Sequence, residues 1–340
     1  MKQLKLFAPN DLRIVEAEKP EPGKGEALVR VKACAICTLE QRLFRGSMRI
    51  YYPIVPGHEA AGEVVEVGPG SITDLKPGEK VALDLIYRCG ECYWCRVGQS
   101  NHCAFRFSKD VQTLGGFSEY IVVKTKQCFK VSGSVPFEIA ALSEPLSCCV
   151  HSLRAINIEL GEDLLVVGAG TMGLIHVLLA KTMGTRVFVV DPIKSRLDKA
   201  VALGADFPIT FNPEEMKNEV LKHTDGRGVD AAIITAPTEE AFRNAAKVVR
   251  KGGRLAVYSA YSEEFDIPVN ANYLHRSEIS VVGVEGRSEK DFLIATKILS
   301  NGLIDLSPLV SSVFGPEQAT AAIEKAGKPE SYRVVLDFSK

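Results

Sequence analysis

Between residues 163 and 190 the chain reads DLLVVGAGTMGLIHVLLAKTMGTRVFVV. A near-continuous apolar run ends at a glycine-rich stretch, and a second apolar run follows about twenty residues later. That pattern predicts a buried strand, a tight turn, a helix and a second strand. Further candidate strands lie at 208–211, 229–235, 254–259 and 278–283, and helical stretches at 192–203, 213–223 and 239–251. Strand–helix alternation over 153–287 predicts a doubly wound parallel sheet. Residues 1–150 differ: strand-like runs at 26–32, 62–67, 80–85 and 118–123 are broken by Pro-Gly and Gly-Gly turns. That is the pattern of an all-β barrel.

Length agrees with two domains, since 340 residues exceed one ordinary core. Composition is that of a globular protein, 46% hydrophobic and 24% charged. The charge is balanced, with 41 basic and 42 acidic residues. No polyanion-binding surface is implied, so nucleic acid is not an expected partner. The N-terminal residues hold no apolar run of signal-peptide length, and the apolar window 164–180 falls short of a membrane span and contains His176. A reducing cytoplasm is the expected compartment, and there clustered cysteines serve as metal ligands more often than as disulfides.

Four of the nine cysteines, Cys89, Cys92, Cys95 and Cys103, fall in one short polar loop spaced C-x2-C-x2-C-x7-C. Four thiolates converging on one tetrahedral ion suit zinc and leave no position open for substrate, so this site reads as structural. The last spacing does not fit iron–sulfur runs. His102, beside Cys103, is a competing ligand only if a thiolate is missing.

The glycines Gly168, Gly170 and Gly173 form G-x-G-x-x-G directly after the predicted strand. The first makes the turn, the second admits a pyrophosphate, and the third lets helix approach strand. Thr171 and Met172 open the helix beneath that phosphate position. Asp191 closes the next strand about twenty residues on, where an acid meets the ribose hydroxyls of NAD; its alternative is a helix N-cap before Pro192. An acid there disfavours the extra phosphate of NADP, although Lys194 and Arg196 follow it, so NAD is the expected cofactor. Arg196 and Thr235 join the candidate cofactor contacts, and Ser259–Tyr261 are weaker ones at a strand end.

Three polar features mark the first half: Cys37 in ACAICTLE, the pair His58-Glu59 in PGHE, and Glu144 in LSEPL. Alone, a His-Glu pair or a buried Cys is usually structural. Together with the Cys89–Cys103 loop, the segment GGFSEY at 115–120 and the glycine fingerprint, in this order, they resemble the zinc-dependent medium-chain dehydrogenases, within them the polyol (sorbitol-like), threonine and sugar branch. The resemblance covers essentially the whole chain. It implies an α/β protein with a GroES-like β-barrel catalytic domain, residues 1–152 and 288–340, and a Rossmann-type NAD-binding domain, residues 153–287, the site lying between them. It implies a catalytic zinc on Cys37 and His58, with Glu59 and Glu144 as ligands or near-ligands, so that two zinc ions are expected per chain. Three protein ligands leave a position for water or alcohol. The implied reaction oxidises a secondary alcohol, a polyol, sugar or sugar-acid derivative, to the ketone by hydride transfer to NAD. Relatives of this kind associate as dimers or tetramers, so a homo-oligomer is expected.

The chain departs from the family in two segments. Many relatives carry Cys-Gly-Ser/Thr-Asp at the first ligand; here the segment is Cys37-Thr38-Leu39-Glu40. The hydroxyl that helps carry the alcohol proton is replaced by Leu39. Gly283-Val-Glu-Gly-Arg287, expected near the nicotinamide, stands where relatives often have Gly-Ser. Cys34, Cys128, Cys148, Cys149, His151 and His176 read as packing residues. Arg42, Arg45 and Arg49 could read a carboxylate or phosphate, against a plain solvated face. The alternatives are a dehydrogenase of threonine or a simple alcohol, a zinc-free reductase of activated double bonds, and a non-catalytic redox or zinc-responsive protein on the same fold.

Overall fold

The computed structural model describes residues 1–48, 50–106, 108, 113–260, 266 and 270–339. Arg49 and Tyr261 lie outside the described residues. The strands in chain order are β1 Lys2–Ala8, β2 Asp11–Glu16, β3 Glu26–Ile36, β4 Glu59–Val67, β5 Lys80–Asp84, β6 Tyr120–Lys124, β7 Cys128–Lys130, β8 Asp163–Val167, β9 Arg186–Asp191, β10 Phe207–Thr210, β11 Val229–Ile234, β12 Val249–Val257, β13 Ser280–Gly283, β14 Val310–Phe314 and β15 Arg333–Asp337. The chain divides into two units, one made of Met1–Ser147 with Arg287–Lys340, the other of Cys148–Gly286.

The first unit is built on a seven-membered sheet in the order β14-β15-β3-β4-β5-β7, with β6 on the free edge of β3, and a separate β1–β2 hairpin. All its pairings are antiparallel except β14–β15, which are parallel and are joined through helix Ala319–Ala326. Strand β3 is longer than its pattern suggests. Past residue 32 it continues as Ala-Cys-Ala-Ile and pairs with both β15 and β4, because small residues let two neighbours close on it. Gly62 shows how tight that pairing is: a Cβ there would meet the carbonyl oxygen of Arg30 at 2.2 Å. The core gathers Leu4, Val29, Ile36, Val64, Leu83, Phe117 and Leu336, with Leu39 packed against it.

The second unit is a parallel sheet in the order β10-β9-β8-β11-β12-β13. Every residue of β8 and β11 is buried, as expected for strands covered on both faces. The helix expected at 239–251 stops at Ala246, and β12 begins at Val249. The mixed run Lys-Val-Val-Arg-Lys satisfies either state locally. Pairing of Val249 with Val229 decides it, and the branched side chains favour that outcome. The fold class read from the sequence, a GroES-like barrel with a Rossmann-type parallel sheet, is the one observed. No helix among the described residues is long and apolar enough to cross a membrane.

Candidate active site and metal centres

In the cysteine loop, Gly90 and Gly98 take positive φ values of 79° and 80°, folding the chain back around the one-turn helix Tyr93–Arg96 that starts after Cys92. The four sulfurs lie within 4.8 Å of one another, and Cys89 Sγ is 3.9 Å from Cys95 Sγ. Tetrahedral zinc with Zn–S bonds near 2.3 Å sets sulfurs about 3.8 Å apart, so the spacing fits that ion. Backbone amides point at the sulfurs: Cys92 N and Glu91 N donate to Cys89 Sγ at 3.2 and 3.3 Å, and Cys89 N to Cys103 Sγ at 3.4 Å. Amides of Ala104 and Cys95 lower the Cys92 thiol to about 6, while burial pushes Cys95 up to about 12. His102 turns elsewhere. Its Nε2 is 3.2 Å from Asn101 Nδ2, and its ring stands edge-on to Trp94.

The second group forms where three strands meet. Cys37 follows β3 and caps helix Thr38–Phe44. Glu59 opens β4 opposite Ala35, and Val334 of β15 pairs with Ile36, so Cys37, Glu59 and Arg333 share one end of the sheet. Ligand atoms of Cys37, His58 and Glu59 lie within 4.8 Å of one another. A thiolate, an imidazole and a carboxylate are a donor set that suits zinc. Glu40 fixes the first two. One oxygen accepts the Cys37 amide at 2.9 Å and the other meets His58 Nδ1 at 2.6 Å. With Nδ1 donating its proton there, the Nε2 lone pair is left for a metal. Burial opposes charge on His58, yet the Glu40 carboxylate raises its basicity well above the usual range.

Both candidate glutamate ligands are held by arginine. Glu59 is fully buried, and Arg333 reaches it bidentately, Nε to Oε2 at 2.9 Å and Nη2 to Oε1 at 2.6 Å. Arg333 Nη2 also lies 3.6 Å from Cys37 Sγ. Burial raises the Glu59 carboxyl, against the pull of Arg333. Glu144, in the first turn of helix Ser143–Ala155, is held by Arg287, and its Oε1 is 3.9 Å from His58 Nε2. Geometry therefore groups Glu59 with Cys37 and His58 and leaves Glu144 beside them.

Glu40, Arg333 and the Arg287 contact were not singled out from the sequence. Glu40 had a usable signal, because an acid three residues after a helix-capping position is the capping-box spacing. Arg333 had only its place in an otherwise apolar strand. The segment 283–287 ends with its arginine on Glu144 and Asp84. Leu39 packs into the core and Thr38 is exposed, its hydroxyl 3.7 Å from Cys37 Sγ. Arg42 and Arg45 are exposed as well. Cys34 is fully buried, its sulfur wedged where Gly57 and Gly116 leave no room for a Cβ.

In the second unit the fingerprint glycines divide by role. Gly168 turns with φ 103°. A Cβ on Gly173 would sit 1.8 Å from the Gly168 carbonyl oxygen, whereas one on Gly170 would meet nothing within 4 Å. Gly170 caps helix Thr171–Lys181, so open space lies at a helix N-terminus, where a pyrophosphate fits. Asp191 is buried and braces this turn: Oδ2 accepts the Ala169 amide and Oδ1 the Ile193 amide, both at 2.8 Å. Each oxygen keeps a second lone pair for a ribose hydroxyl. The helix cap falls on Ile193, not Asp191. Arg196 stands 3.9 Å from the same carboxylate. Thr235 Oγ1 lies 2.9 and 3.1 Å from the carbonyls of Val167 and Gly168, so its hydroxyl supports the turn.

Family models match both halves. Residues 23–133 match the alcohol dehydrogenase GroES-like domain, and residues 171–301 the zinc-binding dehydrogenase domain. The chain is 34% identical over 324 residues to an L-threonine 3-dehydrogenase of Pyrococcus abyssi, covering 93% of this chain and 92% of the relative. It is 30% identical over 337 residues to a sorbitol dehydrogenase of Bacillus subtilis, covering 96% and 93%. A solved structure described as a short chain alcohol dehydrogenase from E. coli CFT073, complexed with NADH, superposes with a TM-score of 0.90 at 30% identity over 99% of both chains. The chain belongs to the zinc-dependent medium-chain dehydrogenase family, oxidoreductases acting on CH–OH donors.

Proposed function

We propose that this chain oxidises a secondary alcohol of a polyol, sugar or sugar-acid derivative to the ketone, with NAD as hydride acceptor and zinc held by Cys37, His58 and Glu59. The observation that carries this reading is the convergence of those three ligand atoms within 4.8 Å, in a chain whose other unit carries the glycine turn braced by Asp191. Zinc bound there supplies a Lewis acid that lowers the pKa of an alcohol. Glu40 holds the His58 tautomer, and Arg333 orients Glu59 and favours its ionised form against burial. Glu144 stands beside His58 Nε2, where a carboxylate can accept the proton an alcohol gives up. Gly168, Gly170, Thr171, Met172 and Gly173 seat the pyrophosphate, Asp191 takes the ribose, and Arg196 and Thr235 flank the site. Cys89, Cys92, Cys95 and Cys103 hold the second, structural zinc.

Because position 39 offers no hydroxyl, the proton leaves without one there. Leu39→Ser tests this: turnover within about twofold of the parent is expected, and a rise of about tenfold or more, of the size general acid–base groups supply, would show that a relay is missing. The 34% identity to a threonine dehydrogenase keeps threonine as the second substrate reading. The chain is expected in the cytoplasm and as a homodimer or homotetramer, which light scattering after size exclusion measures. The defining experiment follows NADH absorbance with zinc-replete protein, offering polyols, inositols, aldonic acids, sugar phosphates, threonine and simple alcohols with NAD or NADP. Turnover of a polyol or sugar acid with NAD supports the first reading. Turnover of threonine alone replaces it, and no turnover at all with NAD still bound rejects both.

A further inference from the structure

Asp84, at the end of β5, is fully buried and is the cross-strand partner of Glu59. Its carboxylate is shared by two arginines. Arg88 Nη1 holds Oδ2, and Arg287 Nη2 donates to Oδ1 at 2.8 Å. The other terminal nitrogen of Arg287 is on Glu144, and Arg88 Nη2 donates to the Arg287 carbonyl at 2.8 Å. Two arginines and two carboxylates, each under 10% exposed, make a neutral buried quartet. Removing or displacing one member strands the charge of another. One end of the quartet, Arg88, is covalently joined to Cys89, the first ligand of the four-cysteine loop. The other end, Glu144, is 3.9 Å from His58 Nε2.

We propose that Asp84 is a positioning residue that couples the four-cysteine loop to the His58 metal site, by sharing Arg88 and Arg287 and thereby holding Glu144 beside, and not on, the metal. A loop that lets go of its ion moves Cys89 and with it Arg88. Arg287 then loses the Arg88 contact to its carbonyl and Asp84 loses one of its two arginines, so Arg287 shifts and Glu144 is released toward His58. This inference rests on the zinc assignments above.

The test uses full-length protein with cobalt in the His58 site, read by its visible absorption bands and by the rate of cobalt loss to dipicolinate. Two metal ions per parent chain support the assignments; a parent chain that takes one ion rejects those assignments and not the coupling itself. Asp84→Asn, Arg88→Met and a loop variant, Cys92→Ser with Cys95→Ser, are each expected to shift the cobalt bands and to speed cobalt loss about tenfold, the low end of what outer-sphere partners carry. Adding the loop substitutions to Asp84→Asn is expected to change the rate by less than about twofold further, because coupled sites do not add. Parent-like bands and release in Asp84→Asn, or multiplicative effects in the combined variant, overturn the coupling. Arg88→Met keeps all four cysteines, so it decides the matter if the loop variant does not fold: shifted bands support the coupling and parent-like bands refute it.

Discussion

Two glycines of one fingerprint should fail in opposite ways when given the same methyl group. In Gly173→Ala the new carbon lands 1.8 Å from the Gly168 carbonyl oxygen and 3.3 Å from Thr235 Oγ1. Ordinary carbon–oxygen contact is near 3.2 Å, so helix Thr171–Lys181 must slide on β8 by about 1.4 Å or the turn must open. Overpacking of this kind costs about 2–3 kcal/mol. At about 2–4 °C per kcal/mol for a domain of this size, the melting temperature of the cofactor-free protein falls by about 4–12 °C. In Gly170→Ala the carbon meets nothing within 4 Å, and the backbone there, at φ −77°, accepts alanine without strain. Its melting temperature should stay within about 1 °C of the parent, since no packing term changes. The methyl instead occupies the space assigned to the pyrophosphate, and the Kd for NADH should rise at least about tenfold, or about 1.4 kcal/mol. Differential scanning calorimetry gives the first quantity and titration of NADH fluorescence the second. Parent-like NADH affinity in Gly170→Ala, or a parent-like melting temperature in Gly173→Ala, would refute the division of roles.

Three further outcomes are expected. Cys37→Ser should lose turnover by more than about 100-fold, beyond what outer-sphere partners carry, while NADH still binds; unchanged turnover would overturn the metal assignment. Trp94 is the only tryptophan of the chain and lies between Cys92 and Cys95, so if the loop holds zinc as proposed, stripping it with a chelator should alter the emission in step with metal loss, and constant emission would mean the loop holds its shape without the ion. His176 is buried, its Nδ1 donates to the Met172 carbonyl at 2.8 Å, and burial lowers its pKa to about 4. Above pH 6.5 the folded and unfolded rings are both neutral and nothing changes. Between pH 6.5 and 4 only the unfolded ring takes a proton, so stability is lost there as pH falls, by about 2 kcal/mol between pH 7 and 5. Urea unfolding of His176→Leu should lack that component, and an identical pH dependence would refute it.

What was legible in the sequence was whatever depends on short spacing. The C-x2-C steps, the glycines at 168, 170 and 173, and an acid closing the second strand each lie within one turn or one strand–helix unit, and local geometry leaves such motifs few alternatives. Residues that support the site from a distance left no comparable trace. Arg333 reaches Glu59 across 274 positions and Arg287 reaches Asp84 across 203, and each is one arginine among many until β15 and residue 287 are placed. The glutamate ambiguity had the same origin. Sequence offered Glu59 and Glu144 as equals, since both are acids in apolar surroundings. They differ only through their partners: Glu59 stays in the ligand group while bound to Arg333, and Glu144 is drawn aside by an Arg287 that also serves Asp84. If that is why Glu144 stands off, then Arg287→Lys, which keeps the charge but not the planar fork that bridges two carboxylates, should bring Glu144 toward His58 and alter the cobalt bands. Asp84→Asn should do the same by another route, because Arg287 then loses the carboxylate that anchors it beside Glu144. A change in one variant without the other would mean that Arg287 acts on Glu144 alone and that the shared carboxylate at Asp84 is incidental.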